Sequence, residues 1–221
     1  MKTNYDNIHP LSLCTYYLKI YPPDTDNLLS TATGFVYEYD NYFYLITNGH
    51  NVTRMNPETN ERISTSIAIP ARFDTVVRRK DPENIKAVYS EDVKIDLYED
   101  IECLKPKWYV HPQFEYNVDV VAISICSKSE LPNGVNLYPI NKLDFDDNFE
   151  IEVGDDLYIL GYPYNLNGGK GLPIWKRGTV ATEPYFDLDN LPKFMIDSAT
   201  KSGMSGSPVI MKTIGFYKQN K

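Results

Sequence analysis

Three short stretches carry residues that could act together. Lys201-Ser202-Gly203-Met204-Ser205-Gly206-Ser207-Pro208 sets a Ser between two glycines in a polar turn that runs into an apolar segment. Glycine flanks let the backbone bend sharply and let another backbone approach closely. A Ser in such a turn can expose its Oγ while neighbouring N–H groups converge on one point, as oxyanion stabilisation requires. On composition alone the run could equally be a plain Gly/Ser turn. Thr47-Asn48-Gly49-His50 and Val118-Asp119-Val120-Val121-Ala122-Ile123 shift that balance.

Acyl transfer from a peptide needs a nucleophile, a base to take its proton and a group to orient the base. Ser205, His50 and Asp119 supply the three roles, in the chain order His, Asp, Ser. His50 ends a Tyr/Leu/Ile run, after a Gly expected to let it face a cleft. Asp119 heads an apolar run, where an unpaired carboxylate is costly to bury. A bond from an N–H of His50 would offset that cost and fix the tautomer. Gly203, Met204 and Ser205 are the candidate backbone donors to the oxyanion. His50 must be neutral to act as a base, so activity should fall on acidification. Singly, each piece has a bland explanation: a satisfied surface His, an Asp turn or cap. Correct order and local setting together favour the catalytic one.

The elements that must position these residues read as strands. Leu11 to Tyr21 is predicted as a strand stopped by Pro22-Pro23. Ser30 to Tyr39 and Tyr42 to Thr47 form a predicted hairpin across Asp40-Asn41, a two-residue turn between Tyr-rich runs. Residues 54–66 are polar and loop-like. Strand candidates follow at 67–78, 85–90, 93–98 and 107–111, with Val118 to Ile125 the clearest core strand of this half. Asn84 to Tyr98 reads better as a hairpin than as a helix, because β-branched residues and Tyr dominate it. Residues 127–150 are a polar connection. Beyond it come predicted strands at Leu157 to Pro163, Pro173 to Thr182, Lys193 to Asp197 and Pro208 to Lys212, with a Gly/Asn loop at 165–171 beside the cleft. Many short strands separated by turn signals imply an all-β barrel or sandwich.

Composition bounds the rest. The chain has 221 residues, 42% of them hydrophobic, enough for one core or two small ones sharing a cleft. A net charge of −8 argues against nucleic acid or an anionic membrane as the main partner. The scattered acidic residues read as solvated loops. No run reaches the length of a membrane span, and the N-terminus lacks the apolar core of a signal peptide. Cys14, Cys103 and Cys126 are odd in number and far apart, so neither disulfides nor a metal site is expected. Cys14 and Cys126 read as buried thiols. A reducing, cytoplasmic setting without cofactor is the expectation. An α/β-hydrolase elbow needs Gly-x-Ser-x-Gly, and position 207 is Ser. A P-loop ending at Lys170 needs Gly at 164, which is Tyr.

These residues resemble the chymotrypsin/trypsin-like serine peptidases. Gly203-Met204-Ser205-Gly206-Ser207-Pro208 is similar to that family's Gly-x-Ser-Gly-Gly-Pro. Thr47-Asn48-Gly49-His50 resembles its Thr-Ala-x-His, and Asp119-Val120-Val121-Ala122-Ile123 its Asp-Ile-Ala-Leu strand. Thr33-Gly34-Phe35-Val36 looks like the hairpin upstream of the His, and Gly161-Tyr162-Pro163 like a turn common in bacterial members. The resemblance runs from about residue 11 to residue 210. It implies two antiparallel β-barrels of the six-stranded type, residues 1–135 carrying His50 and Asp119 and residues 136–221 carrying Ser205. Met204 replaces the Asp that digestive members pair with a new N-terminus, so activation by that ion pair is not expected. Asn51 stands where many secreted members have a disulfide Cys. Ala199 and Thr200 would line the specificity pocket; neither is charged, which points to a small or apolar residue before the scissile bond. Thirteen residues follow Pro208, where the family has two further strands. Thr213 to Tyr217 could supply one, so the second barrel is expected to be incomplete or completed by a protein partner. The reading is a serine endopeptidase with a peptide or protein substrate; the alternative is a non-catalytic or partner-dependent protease-like binding domain.

Overall fold

The structure is a computed structural model that describes residues 8–23, 25–65, 67–80, 88–100, 102–145, 149–199 and 201–212. Among the described residues its regular structure is mostly antiparallel strands with a few short helical turns, as the Tyr/Val/Ile/Thr-rich runs require. The first element among the described residues is a single helical turn, α1 (Pro10–Leu13), which leads into β1 (Thr15–Tyr21). The predicted strand from Leu11 therefore starts late. Pro10 is preset for the first turn of a helix, and the His9 ring accepts the Leu11 N–H at 3.3 Å.

β2 (Ser30–Tyr39) and β3 (Tyr42–Thr47) form the expected hairpin. Asp40 and Asn41 take φ of 47° and 63°, the left-handed pair that matches the twist of the flanking strands. β4 (Arg72–Lys80) and β5 (Val88–Asp96) pair along their length, so the two strand candidates at 85–90 and 93–98 are one strand. Residues 85–87 lie outside the described residues. β6 (Trp108–Val110) and β7 (Val121–Ser127) follow. β8 (Val135–Asn136), inside the expected polar connection, pairs with β4. The order across the sheet is β5-β4-β1-β2-β3-β7-β6, with β8 on β4. Lys107 N–H donates to the Leu97 carbonyl (2.8 Å) and Ser124 N–H to the Lys107 carbonyl (3.2 Å). These bonds join the β5 end back to β7 and curl the sheet into a barrel. Leu18, Leu45, Phe73, Leu97, Val121 and Ile123 fill it and are essentially inaccessible.

The second sheet has four strands among the described residues: β9 (Asp156–Gly161), β10 (Ile174–Val180), β11 (Ile196–Asp197) and β12 (Val209–Met211), in the order β11-β10-β9-β12. The architecture is that of the chymotrypsin-like double barrel. The expected strand at Thr213 to Tyr217 lies outside the described residues. Leu160 and Ile210 pack against Leu11, which α1 carries over from the first half. The two halves are further joined by Trp175, whose indole N–H donates to Ser12 Oγ at 2.8 Å, and by Tyr162, whose hydroxyl lies 3.1 Å from the Thr15 carbonyl. Burial pushes the Tyr162 phenol well above its ordinary range, so this hydroxyl stays a neutral donor. Burial likewise lifts the Cys14 thiol to about 11. All three cysteines are free. Among the described residues no helix is long and apolar enough to cross a membrane.

Candidate active site

β3 ends at Thr47, and three residues later α2 (His50–Thr53) begins, a single helical turn with His50 in first place. The 118–120 segment approaches from the other side. Val120 N–H folds back onto the Val118 carbonyl (2.7 Å), making a tight turn at Asp119 just before β7. Asp119 then meets His50 twice. Its Oδ1 accepts the His50 main-chain N–H at 2.9 Å, and its Oδ2 lies 2.6 Å from His50 Nδ1. Both side chains are about three-quarters shielded, at 22% and 24% exposure, which strengthens the interaction relative to water. With Nδ1 engaged by the carboxylate, Nε2 is the nitrogen left for a substrate-side proton.

Gly49 needs no special backbone conformation. Its φ of −60° is ordinary helical backbone. What it provides is space: a Cβ there would sit 3.2 Å from Asp119 Oδ1. Deleting the side chain lets the carboxylate reach over the start of α2.

The Ser205 turn lies against β2 and β3. Thr33 is fully buried and bonds it twice: its N–H donates to the Ser205 carbonyl (2.8 Å) and its Oγ1 to the Gly203 carbonyl (2.8 Å). Thr47 Oγ1 donates in turn to the Thr33 carbonyl (2.7 Å). Gly206 N–H donates to Asn48 Oδ1. Asn51, at the position expected to replace a disulfide Cys, donates to Thr47 Oγ1 (2.9 Å) and reaches the Ser205 carbonyl at 3.5 Å. Gly203 and Gly206 hold φ of +90° and +85°. A Cβ on Gly206 would collide with the Thr33 carbonyl and Thr47 Oγ1, and one on Gly203 with the Tyr162 carbonyl. Only glycine satisfies both the backbone angle and the close approach.

Of the three backbone donors expected for the oxyanion, Met204 is already committed, since its N–H donates to the Lys201 carbonyl at 3.1 Å. The N–H groups of Gly203 and Ser205 have no acceptor among the described residues. Ser205 itself is half-buried, and among the described residues no hydrogen bond links its hydroxyl to the His50 ring. Catalytic hydrogen bonds of this kind are often long before substrate arrives. Ala199 is exposed, in the irregular segment after β11, and Thr200 lies outside the described residues. A cavity of about 190 Å³ opens beside the pair, lined by Gly49, His50, Thr53, Met55, Tyr116 and Asp119 among others. The lining contributed by Met55 and Tyr116 has no local sequence signal; loop folding alone brings them to His50. The described residues include no cluster of His, Cys, Asp and Glu able to hold a metal ion.

A family model described as a trypsin-like peptidase domain matches residues 32–215. Among solved structures, Deg5 shares 15% identity and a TM-score of 0.50, over 90% of this chain and 75% of that one. The HtrA-type protease AlgW, solved with a tripeptide, shares 12% identity and a TM-score of 0.50, over 90% of this chain and 48% of its own. The chain thus spans about half the length of AlgW and three-quarters of Deg5. At these identities the likeness speaks for the fold. No curated protein matches the chain.

Proposed function

The chain belongs to the trypsin-like peptidase domain family, and we propose that within it this protein is a serine endopeptidase working through Ser205, His50 and Asp119. The supporting observation is the two-point hold of Asp119 on His50, through the main-chain N–H and Nδ1. A carboxylate that only neutralised charge would not need both. This one fixes the ring's position as well as its tautomer.

In the proposed reaction Ser205 Oγ attacks the scissile carbonyl and passes its proton to His50 Nε2. The imidazolium that forms is stabilised by Asp119. The oxyanion lies against the N–H groups of Gly203 and Ser205, each such donor being worth about 10²–10³ in rate. His50 then gives the proton to the departing amine, leaving an acyl-enzyme. Water, deprotonated by His50, hydrolyses the ester and restores Ser205. The units carrying the two sides of the site are proposed as residues 1–135 and 136–221. Ala199 and Thr200 are proposed for the specificity pocket, with a small or apolar residue preferred before the scissile bond.

The reading is tested by labelling with a fluorophosphonate at neutral pH, followed by intact mass, with Ser205→Ala in parallel. One adduct, lost in Ser205→Ala, is the expected result. Folded protein that takes no adduct would instead favour a protease-like binding domain, or one that a protein partner must assemble. The absence of a bond between the Ser205 hydroxyl and the His50 ring among the described residues is the observation behind that second reading.

A further inference from the structure

The amide side chain of Asn48 touches both of the segments that must meet His50. Its Nδ2 donates to the Asp119 main-chain carbonyl at 2.6 Å, and its Oδ1 accepts the Gly206 N–H. Asn48 is two residues before His50, Gly206 is one residue after Ser205, and Asp119 is the partner of the His50 ring. The bonds cross 71 and 158 residues of sequence. A planar amide offers a donor and an acceptor at once, on separate atoms, and Asn carries it on a shorter stem than Gln.

The Gly206 bond has a particular consequence for the nucleophile. The Ser205 carbonyl and the Gly206 N–H belong to one peptide unit. Thr33 N–H holds the carbonyl edge at 2.8 Å, and Asn48 Oδ1 holds the opposite edge. With both edges bound, the plane that follows Ser205 cannot rotate, so the ψ angle that aims the Ser205 side chain is set by the first half of the molecule. The positive φ of Gly206 and its collision-free seat against Thr33 and Thr47 are the conditions for that contact. In the resemblance noted above this position is Ala, which could make neither bond.

We infer that Asn48 is a positioning residue, which registers the Ser205 turn against the His50–Asp119 pair by bonding the peptide after the nucleophile and the carbonyl of the orienting Asp. The inference rests on the proposal that Ser205 is the nucleophile.

The test compares second-order fluorophosphonate labelling rates across pH for the unaltered chain, Ser205→Ala, Asn48→Ala and Asn48→Asp, each normalised to folded protein by thermal melting. Asn48→Ala loses both bonds. Its labelling rate should fall roughly ten- to a hundredfold, the scale of one or two lost hydrogen bonds in a reacting site, with the pH profile keeping its shape. Asn48→Asp keeps the acceptor for Gly206 N–H but sets a charge against the Asp119 carbonyl and near His50. It should retain more rate than Asn48→Ala at high pH, with the acid limb displaced to higher pH because added negative charge favours the imidazolium. A purely structural Asn48 would lower the melting temperature and leave the per-molecule rate and the limb in place, which would overturn the inference. So would failure of both variants to fold, since Asn48 would then be a folding residue. If Asn48→Ala does not fold, Asn48→Asp decides by its limb. Labelling absent from the unaltered chain, or surviving in Ser205→Ala, sinks the nucleophile proposal and the inference with it. Normal labelling that Asn48→Ala leaves unchanged sinks the inference alone.

Discussion

The first half of the molecule and the second differ in how they hold themselves together. Among the described residues the first sheet curls shut around a contiguous core that includes Leu18, Val36, Leu45, Phe73, Leu97 and Ile123. The second has four strands and a small cluster of Leu160 and Ile210, completed by Leu11 from the other end of the chain. His50, on α2 just after β3, and Asp119, in the turn just before β7, belong to the well-filled half. Ser205 sits on the lean half, yet its turn is bonded to Thr33 and Asn48 of the other. On the proposed mechanism, a nucleophile on this sparsely packed element is fixed by bonds that its better-packed neighbour supplies. The ion pair with a new N-terminus that digestive members use is unavailable here because Met204 carries no charge; the contacts from Thr33 and Asn48 occupy the same turn.

The sharpest way to break this comparison is to disable the chemistry proposed for the first half while leaving its packing intact. Asp119→Asn keeps the shape, but its amide cannot hold the His50 ring in the same tautomer. On the proposed mechanism kcat/KM for a peptide substrate should fall by about 10⁴-fold, with the thermal midpoint nearly unmoved. A drop of less than tenfold in steady-state turnover would remove Asp119 from the orienting role.

Next in size is a pair of cavity mutations that asks whether the two cores respond alike. Leu18→Ala and Leu160→Ala each delete a fully buried side chain. In the dense first core the surroundings cannot collapse, so Leu18→Ala should cost about 3–5 kcal/mol by urea unfolding. The smaller cluster around Leu160 can relax, and about 2–3 kcal/mol is expected there. Equal costs would mean that the second sheet is as rigid as the first.

Gly206→Ala probes the seam between them. The new methyl would strike the Thr33 carbonyl and Thr47 Oγ1, and φ of +85° disfavours any Cβ. The Ser205 turn must lift off β2, and displacement on the order of 1 Å costs about a hundredfold in rate. Labelling kinetics should show that loss while urea unfolding shows the first core intact. An unchanged labelling rate would mean that the turn does not need its seat on the first half.

Local patterns made some of this legible and long-range bonds hid the rest. The β2–β3 hairpin could be read residue for residue, because alternating Tyr/Val/Ile runs meet across Asp40-Asn41, a pair that tolerates positive φ. Leu11 to Leu13 could not, since Leu-Ser-Leu is too short to show a period and Pro10 decides for a helical turn. β8 is two residues long, too short to show any alternation. The candidate site residues stood out by type and order, and two of them, His50 and Asp119, are in direct contact. The glycine at 49 was legible, but the room it leaves for Asp119 Oδ1 was not, because Asp119 lies 70 residues away in sequence. The clamps at Thr33 and Asn48 span 170 and 158 residues, and nothing near either end announces its partner.

The smallest effect returns to the first half, where its strand β2 leans on the connection to the second. Glu38 is bonded to Lys128 (2.7 Å) and lies 3.4 Å from Lys142, and these hold its carboxyl below the usual range, the Lys128 bond being the larger cause. A carboxyl whose folded value is depressed binds fewer protons folded than unfolded. Its stabilisation is therefore present in full above the unfolded carboxyl value and is lost as pH falls through the folded one. Both lysines are about half exposed, so the pair contributes on the scale of a surface ion pair, ~0–1 kcal/mol. Melting curves of Glu38→Gln should therefore coincide with those of the unaltered chain in strong acid and fall slightly below them near neutrality. The gap should narrow in high salt, which screens exposed charges. The Asn141 amide also bonds the Glu38 backbone on both sides, accepting its N–H at 3.0 Å and donating to its carbonyl at 2.8 Å. Those neutral contacts do not titrate, so a gap that persisted undiminished into strong acid would assign the anchoring of this connection to something other than the Glu38 charge.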